Sequence, residues 1–380
     1  METNDFSKYR NEIPVCRKHC YLDNAGIAPL STRIKKAIDV YLEDQISHGA
    51  FSLLKWHKQI EDVRRICASL INADMDEVAF VRSTSHGISL VAHGLAWKEG
   101  DSVILPENEF PSNLFPWIEL KKKGVDVKTI RTKEARIDEQ DIRNLIDNRT
   151  KVLAISAVQF NDGFKIDLSK IGEICAERNI FLCVDAIQAL GVIPIDVKEM
   201  NIDFLSADAH KWLMGPEGIG IFYCKKSLAE QLQPALIGWK SVKNAFNFEK
   251  PEYLLKTNAG RFEEGSMNHI GIIGLGEALR LLEEIGIKRI EQHVLGLGSL
   301  IMENALRRGF NVITPRKESE RAGITTFNGV FDPMKVRSAL YDREIMVNVR
   351  AGGLRVSPHF YNNEEDVAML FKAMDEICFQ

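Results

Sequence analysis

Between residues 78 and 224 short apolar runs alternate with stretches whose apolar positions recur at helical spacing. The runs are Val78 to Val81, Ser102 to Leu105, Val127 to Ile130, Val152 to Val158, Ile180 to Asp185, Phe204 to Ala207 and Ile219 to Tyr223. Such alternation of strand and helix predicts an α/β fold, with a mostly parallel sheet and helices on both faces. After about residue 268 the pattern changes. Two long helical stretches, Ile270 to Glu284 and Lys288 to Arg308, precede short strands near Thr325 and Val347 and a closing helix from Glu364. The expected organisation is a large domain over 21–267 and a smaller α+β domain built from the two chain ends, 1–20 and 268–380. Asp23-Asn24-Ala25-Gly26 and Pro29 mark an early turn, and Ser31 is placed to cap the helix that follows.

Two of the runs deliver polar side chains where a parallel sheet would place its active edge. One is Val184-Asp185-Ala186-Ile187-Gln188; the other continues into Ser206 to Gly215, SADAHKWLMG. An acid on one strand end and a lysine just past another suit an aldehyde cofactor with a ring nitrogen. The lysine forms the imine and the acid keeps the nitrogen protonated, which points to pyridoxal phosphate. Lys211 lies between His210 and Trp212 and before a Gly-Pro-x-Gly turn, a setting that desolvates the amine and lowers its pKa. Gln188 is close enough to Asp185 to aim at the same ring. Upstream, Ser83, Thr84 and Ser85 stand between a strand and a helix, so a phosphate is expected near Thr84 and Ser85 at the helix amino terminus.

Other chemistries fit less well. Gly271-Ile-Ile-Gly274-Leu-Gly276 resembles a dinucleotide fingerprint, but polar residues rather than a strand precede it and Leu279 holds the third glycine position. It reads as a glycine-rich packed helix. The net charge of -4 shows no basic stripe for nucleic acid, and no run approaches the ~18 apolar residues of a membrane span. The amino terminus lacks an apolar signal core, so a cytoplasmic location is expected. Seven scattered cysteines predict reduced, buried thiols, and Cys16, His19 and Cys20 lack the second ligand pair of a zinc site, so no metal is expected.

The ordered motifs resemble those of fold-type-I pyridoxal-phosphate enzymes of the class V aminotransferase and cysteine desulfurase superfamily, nearly end to end. YLDNAGIAPLS resembles the amino-terminal signature and places Ala25 and Gly26 at the substrate. STSHG resembles the phosphate turn, and ENEFPSNLFPW the segment whose ring-stacking residue here is Phe110. VDAIQALG matches the Asp and Gln that contact the ring nitrogen and phenolic oxygen, and AHKWLMGP the cofactor lysine motif. RFEEGSMN resembles a segment that reaches the phosphate of a neighbouring subunit, which implies a homodimer and a role for Ser266. LRVSPHFYNNEED resembles the segment whose arginine, here Arg355, binds a substrate carboxylate, with Arg350 as a nearby competitor.

Departures from the desulfurase pattern narrow the reaction. Asn348 to Gly353 is short and carries no cysteine where desulfurases carry their nucleophile. Phe110, Phe160 and Asp208 stand where desulfurases often place a histidine, an asparagine and a phosphate-binding serine. These features resemble the isopenicillin-epimerase-like and kynureninase-like branches. The resemblance implies an enzyme that acts on an amino acid through an external aldimine, by transamination, β-elimination or epimerisation. The alternatives are sulfur transfer of the desulfurase type, or a cofactor-binding protein without turnover.

Overall fold

A computed structural model describes residues 6–133 and 136–379. Its centre is a sheet of seven strands, β1 Val78–Val81, β2 Ser102–Pro106, β3 Asp126–Ile130, β4 Thr150–Ser156, β5 Phe181–Asp185, β6 Phe204–Asp208 and β7 Gly220–Cys224. Their spatial order is β1-β7-β6-β5-β4-β2-β3. Pairs from β6 through β3 are parallel, and β7 runs antiparallel to both β6 and β1. The reversal has a local cause: β6 and β7 are joined by a short turn without a helix, too short for a parallel crossover. That turn carries Lys211.

The predicted runs coincide with strands, and period-two alternation sorts their side chains onto two faces. Leu182 and Val184 of β5 join one apolar cluster with helices α1 Thr32–His48 packed outside it, α2 Leu53–Leu70, α4 Leu168–Arg178 and α5 His269–Ile285, whereas Cys183 faces the other with α3 Thr84–Gly94. The run expected over Val152 to Val158 forms strand only to Ser156. Val158 instead bridges Lys165, which bends residues 159–164 into a loop over the sheet edge.

Gly271, Gly274 and Gly276 lie in α5 and serve close packing. A Cβ at Gly276 would come within 2.3 Å of Val63 on α2. The helix therefore shares the large core. A separate apolar cluster contains Cys20, Leu22, Leu297, Ile301, Phe327, Leu354 and Phe371. It lies between α6 Ile287–Arg307, α7 Pro333–Tyr341, α8 Glu364–Cys378 and a four-stranded antiparallel sheet. That sheet comprises β8 Asn311–Val312, β9 Thr325–Asn328, β10 Asn348–Arg350 and β11 Gly353–Val356. The chain ends meet there: Cys20–Tyr21 pairs in parallel with Ile345–Met346, and Asp23 bridges Ser357.

Candidate active site

The carboxyl ends of β5 and β6 lie side by side, with Asp185 opposite Ser206. Asp185 ends its strand fully buried, and its Oδ1 accepts from Ile187 N at 3.0 Å. Burial pushes its pKa up to about 7; the negative charge of Glu109 adds to the rise and Lys211 opposes it. Glu109 is a second buried carboxyl, held by Ser156 N at 2.8 Å and Gln159 Nε2 at 3.0 Å and raised by burial. Ser156 is the register partner of Asp185. The two acids thus both adjoin the end of β4 at Ser156.

Lys211 sits in the turn after β6. Met214 N donates to Lys211 O at 2.8 Å and Gly215 N to Ala209 O at 2.8 Å, with Met214 in the left-handed region at φ 56°. A bulky residue tolerates that region only where its surroundings enforce it. The Lys211 side chain is 8% exposed. Burial lowers its pKa to about 8, with Asp185 pulling it up and Arg355 pushing it down. No carboxylate or other acceptor receives a hydrogen bond from its ammonium among the described residues; Nζ lies 5.4 Å from the Phe110 ring centroid. Phe110 meets Phe160 edge to face at 5.1 Å.

Around Lys211 lies a cavity of about 230 Å³. One wall is the start of α3, where Ser83 caps by accepting from His86 N at 3.2 Å, leaving Thr84 and Ser85 in the first turn. Thr84 Oγ1 accepts from Asp208 N at 3.0 Å, and Ser85 Oγ donates to Ser112 Oγ at 2.8 Å. Gly87 permits this approach, because a Cβ there would lie 2.2 Å from Ser206 Oγ. His210 Nδ1 is 3.1 Å from Asp208 Oδ1. Ala25, Gly26 and Gln188 line another wall. Gly26 lacks a side chain for a reason: a Cβ would stand 2.5 Å from the Asp23 carboxylate.

The four-stranded sheet closes the remaining side. Arg355, on β11 and 1% exposed, donates to Asp23 Oδ1 at 3.0 Å and to Phe160 O at 2.9 Å. Its Nε is buried without a partner among the described residues. Asn348 Nδ2 binds the other Asp23 oxygen at 2.8 Å. Strands β10 and β11 form a hairpin in which Arg350 pairs with Gly353, and the two residues between them, Ala351 at φ 49° and Gly352 at φ 69°, are both left-handed. This is the two-residue turn that matches strand twist. It sets Arg350 at the cavity, with Nη1 tethered to Val349 O at 2.7 Å and no ion pair among the described residues.

Of the residues expected from sequence, Lys211, His210, Asp208, Thr84, Ser85, Phe110, Gln188, Ala25, Gly26 and Arg355 line this cavity, and Asp185 lies buried beside it. Ser266 does not. It lines a second cavity, of about 320 Å³, with Arg82, His86 and Glu264. Glu109 and Asp23 were not foreseen as part of the site. Both are carboxylates directly beside or within a motif already noted, which is the only signal either offers. None of the seven cysteines lines the Lys211 cavity; five are buried, and burial raises the thiol of Cys183 well above its ordinary value.

The donor set fits pyridoxal phosphate: a desolvated amine without an acceptor, a buried acid beside it, and hydroxyls at a helix start. Comparisons with known proteins agree. The family model of class V aminotransferases matches residues 20–370. A probable cysteine desulfurase of Pyrococcus abyssi is 31% identical, with 97% of this chain and 96% of the relative covered. The apo structure of a cysteine desulfurase from Thermococcus onnurineus superposes with a TM-score of 0.89 at 28% identity, covering 97% of both chains. The fold alone is shared, at 19% identity and a TM-score of 0.90, with C-DES carrying glycine covalently linked to its pyridoxal-phosphate cofactor, over 96% of this chain and 98% of that one.

Proposed function

The chain belongs to the class V aminotransferase family, a family of pyridoxal-phosphate enzymes, and we propose that it transforms a free amino acid without passing the product to a carrier thiol. When bound, the cofactor supplies an aldehyde for an amine and a ring that takes up the electron pair left at the α-carbon. The protein's own groups do the rest. The Lys211 amine, with its pKa lowered to about 8, has a usable neutral fraction near neutral pH and moves the proton at the substrate carbon. Asp185 would hold a proton on the ring nitrogen, and the α3 amino terminus with Thr84 and Ser85 would take the phosphate. Phe110 would stack on the ring and Gln188 would meet the ring oxygen. His210 stands beside the lysine with Asp208 close to its ring, and Arg355 would take the substrate carboxylate next to Ala25 and Gly26, with Arg350 supplying an uncompensated charge at the mouth.

The observation that carries the choice of reaction is the β10–β11 hairpin. It turns in two residues and has no cysteine, so no thiol on that segment can reach a substrate sulfur. Elimination, epimerisation and transamination need no such thiol. A second reading, sulfur transfer, is favoured by the names of the relatives. Incubating holoenzyme with an amino-acid panel separates them: the expected products form with no persulfide on the protein. A persulfide on a cysteine whose replacement abolishes activity would establish sulfur transfer instead.

A homodimer is part of the same proposal. Trp239, Phe246 and Phe248 form an exposed aromatic cluster with ring centroids 5.4 to 6.4 Å apart, which supports a covered face near the Ser266 segment. A monomer with full cofactor affinity at working concentration, seen by sedimentation, would remove both the dimer and the role of Ser266. For the domains we propose 21–267 against 1–20 with 268–380; the separate cluster of Cys20, Leu297 and Phe371 supports the division, whereas α5 packs with the large core. The seven unpaired thiols support a reducing, cytoplasmic setting.

A further inference from the structure

Trp212 follows Lys211 directly, and its indole is completely buried. Two glycines make its socket. A Cβ at Gly323 would lie 2.2 Å from the indole ring, and one at Gly191 would lie 2.2 Å from the Trp212 carbonyl. His359 holds the same carbonyl from the other side, with Nε2 3.0 Å from Trp212 O. Because His359 Nδ1 accepts from Phe360 N at 2.8 Å, the imidazole proton belongs on Nε2, where it can be donated. Burial lowers the His359 pKa to about 4, so the ring stays neutral across the working range.

With the indole fixed, its single polar atom decides the state of a neighbour. Trp212 Nε1 donates to Gln188 Oε1 at 2.7 Å. An indole N–H can only donate, so the amide oxygen must face it and the amide nitrogen must turn away. Gln188 Nε2 indeed meets an acceptor, Ala25 O, at 3.1 Å. That bond uses one of two amide hydrogens. The other remains in a side chain that is 2% exposed and lines the Lys211 cavity.

We propose that Trp212 is a positioning residue that locks the Gln188 amide so that this wall of the cavity offers an N–H, and so selects an oxygen anion there, the ring oxygen of the cofactor. The inference rests on the pyridoxal-phosphate reading of the site. Without the indole N–H only the Ala25 carbonyl would still favour this orientation, and an amide that flips would present a carbonyl to that anion.

The test uses the holoenzyme and follows the bound cofactor's visible absorption against pH. A wild-type protein that takes up no pyridoxal phosphate would defeat the cofactor reading itself, whatever Trp212 does. With cofactor bound, Trp212→Phe is expected to move the titration midpoint upward by about one pH unit, because the oxygen anion loses its donor. Gln188→Ala should move it by a similar amount, and the double variant no further, as expected of two residues acting through one contact. Additive shifts, or a folded Trp212→Phe protein with the wild-type midpoint, would overturn the proposal. Should Trp212→Phe not fold, Gln188→Glu decides: it keeps an acceptor for the indole but turns an oxygen toward the cavity, and cofactor affinity should fall at least tenfold. Wild-type affinity and midpoint in that variant would overturn it equally.

Discussion

Two groups of buried charges, at Lys211 and at Arg64, are treated in opposite ways by the same fold. Arg64, on α2 and 7% exposed, gives hydrogen bonds to Glu263 at 2.6 and 3.1 Å, to Glu61 at 3.0 and 3.1 Å and to Val78 O at 2.9 Å. Glu263 also accepts from Phe80 N. Every guanidinium donor direction is used, and the cluster acts as a strut between α2, β1 and the segment before α5. Lys211 is equally buried but has no acceptor among the described residues, where the Asp185 carboxylate accepts a single bond. A saturated charge supports the scaffold, because its desolvation is offset on the spot. An unsaturated one is held ready for a ligand.

Removing the amine breaks the contrast most sharply. Lys211→Ala is expected to lower turnover by about four orders of magnitude, while thermal stability of the apoprotein is kept or rises. Borohydride reduction and peptide mapping of wild type should place the cofactor on Lys211; attachment to another lysine would show the site to be misassigned. Asp185→Asn comes next, with turnover down about 10³-fold and cofactor still bound, because a neutral amide cannot hold the ring nitrogen protonated. Near-normal kcat would exclude Asp185 from that role.

The saturated cluster should respond in stability instead. Arg64→Met strands Glu263 in the interior, and urea unfolding should show a loss of about 3–5 kcal/mol. A loss below about 1 kcal/mol would mean that the strut is dispensable.

A smaller effect concerns pH. Asp185 has its pKa raised in the folded state, so its contribution is full below the unfolded value of about 4 and is lost as pH rises through about 7. Lys211 has its pKa lowered, so its contribution is full above the unfolded value of about 10.4 and is lost as pH falls through about 8. The apoprotein should therefore have a shallow minimum in Tm between pH 7 and 8, and Lys211→Met should abolish the rise above it. A rise that survives that substitution would assign it elsewhere. Smallest of all, replacing the seven cysteines by Ala or Ser in a protein that still folds should leave turnover within about tenfold, about 1.4 kcal/mol in barrier. A larger drop traced to one folded single variant would move that thiol from scaffold to site.

The strands and the edge of the candidate site were legible because burial on two faces writes itself into a run of apolar residues, and a polar residue ending that run marks the strand's tip. Asp185 and Lys211 were found that way. What the pattern cannot carry is partnership. Nothing in the spacing of Arg64 and Glu263, or of Asp23 and Arg355, says that they meet, since each pair is joined only by the tertiary fold. The reversed strand β7 was equally hidden, because an antiparallel strand buried on both faces has the same composition as its parallel neighbours. The short hairpin at Ala351 was visible as a missing cysteine, but its left-handed alanine was not: only Gly352 carries a sequence signal for positive φ.

The meeting of the chain's two ends has a consequence for the order of events in time. Asp23 and Arg355 lie 332 residues apart and must find each other before this side of the cavity, the proposed carboxylate site, exists. Closing so long a loop costs entropy early and returns contacts late, so such pairings tend to be among the last to form. The nascent protein can build its seven-stranded sheet while the segment that carries Arg355 is still being made, but the Trp212 socket beside Lys211 waits for Gly323 and His359. Maturation would then have two stages, in which the sheet precedes the completed site.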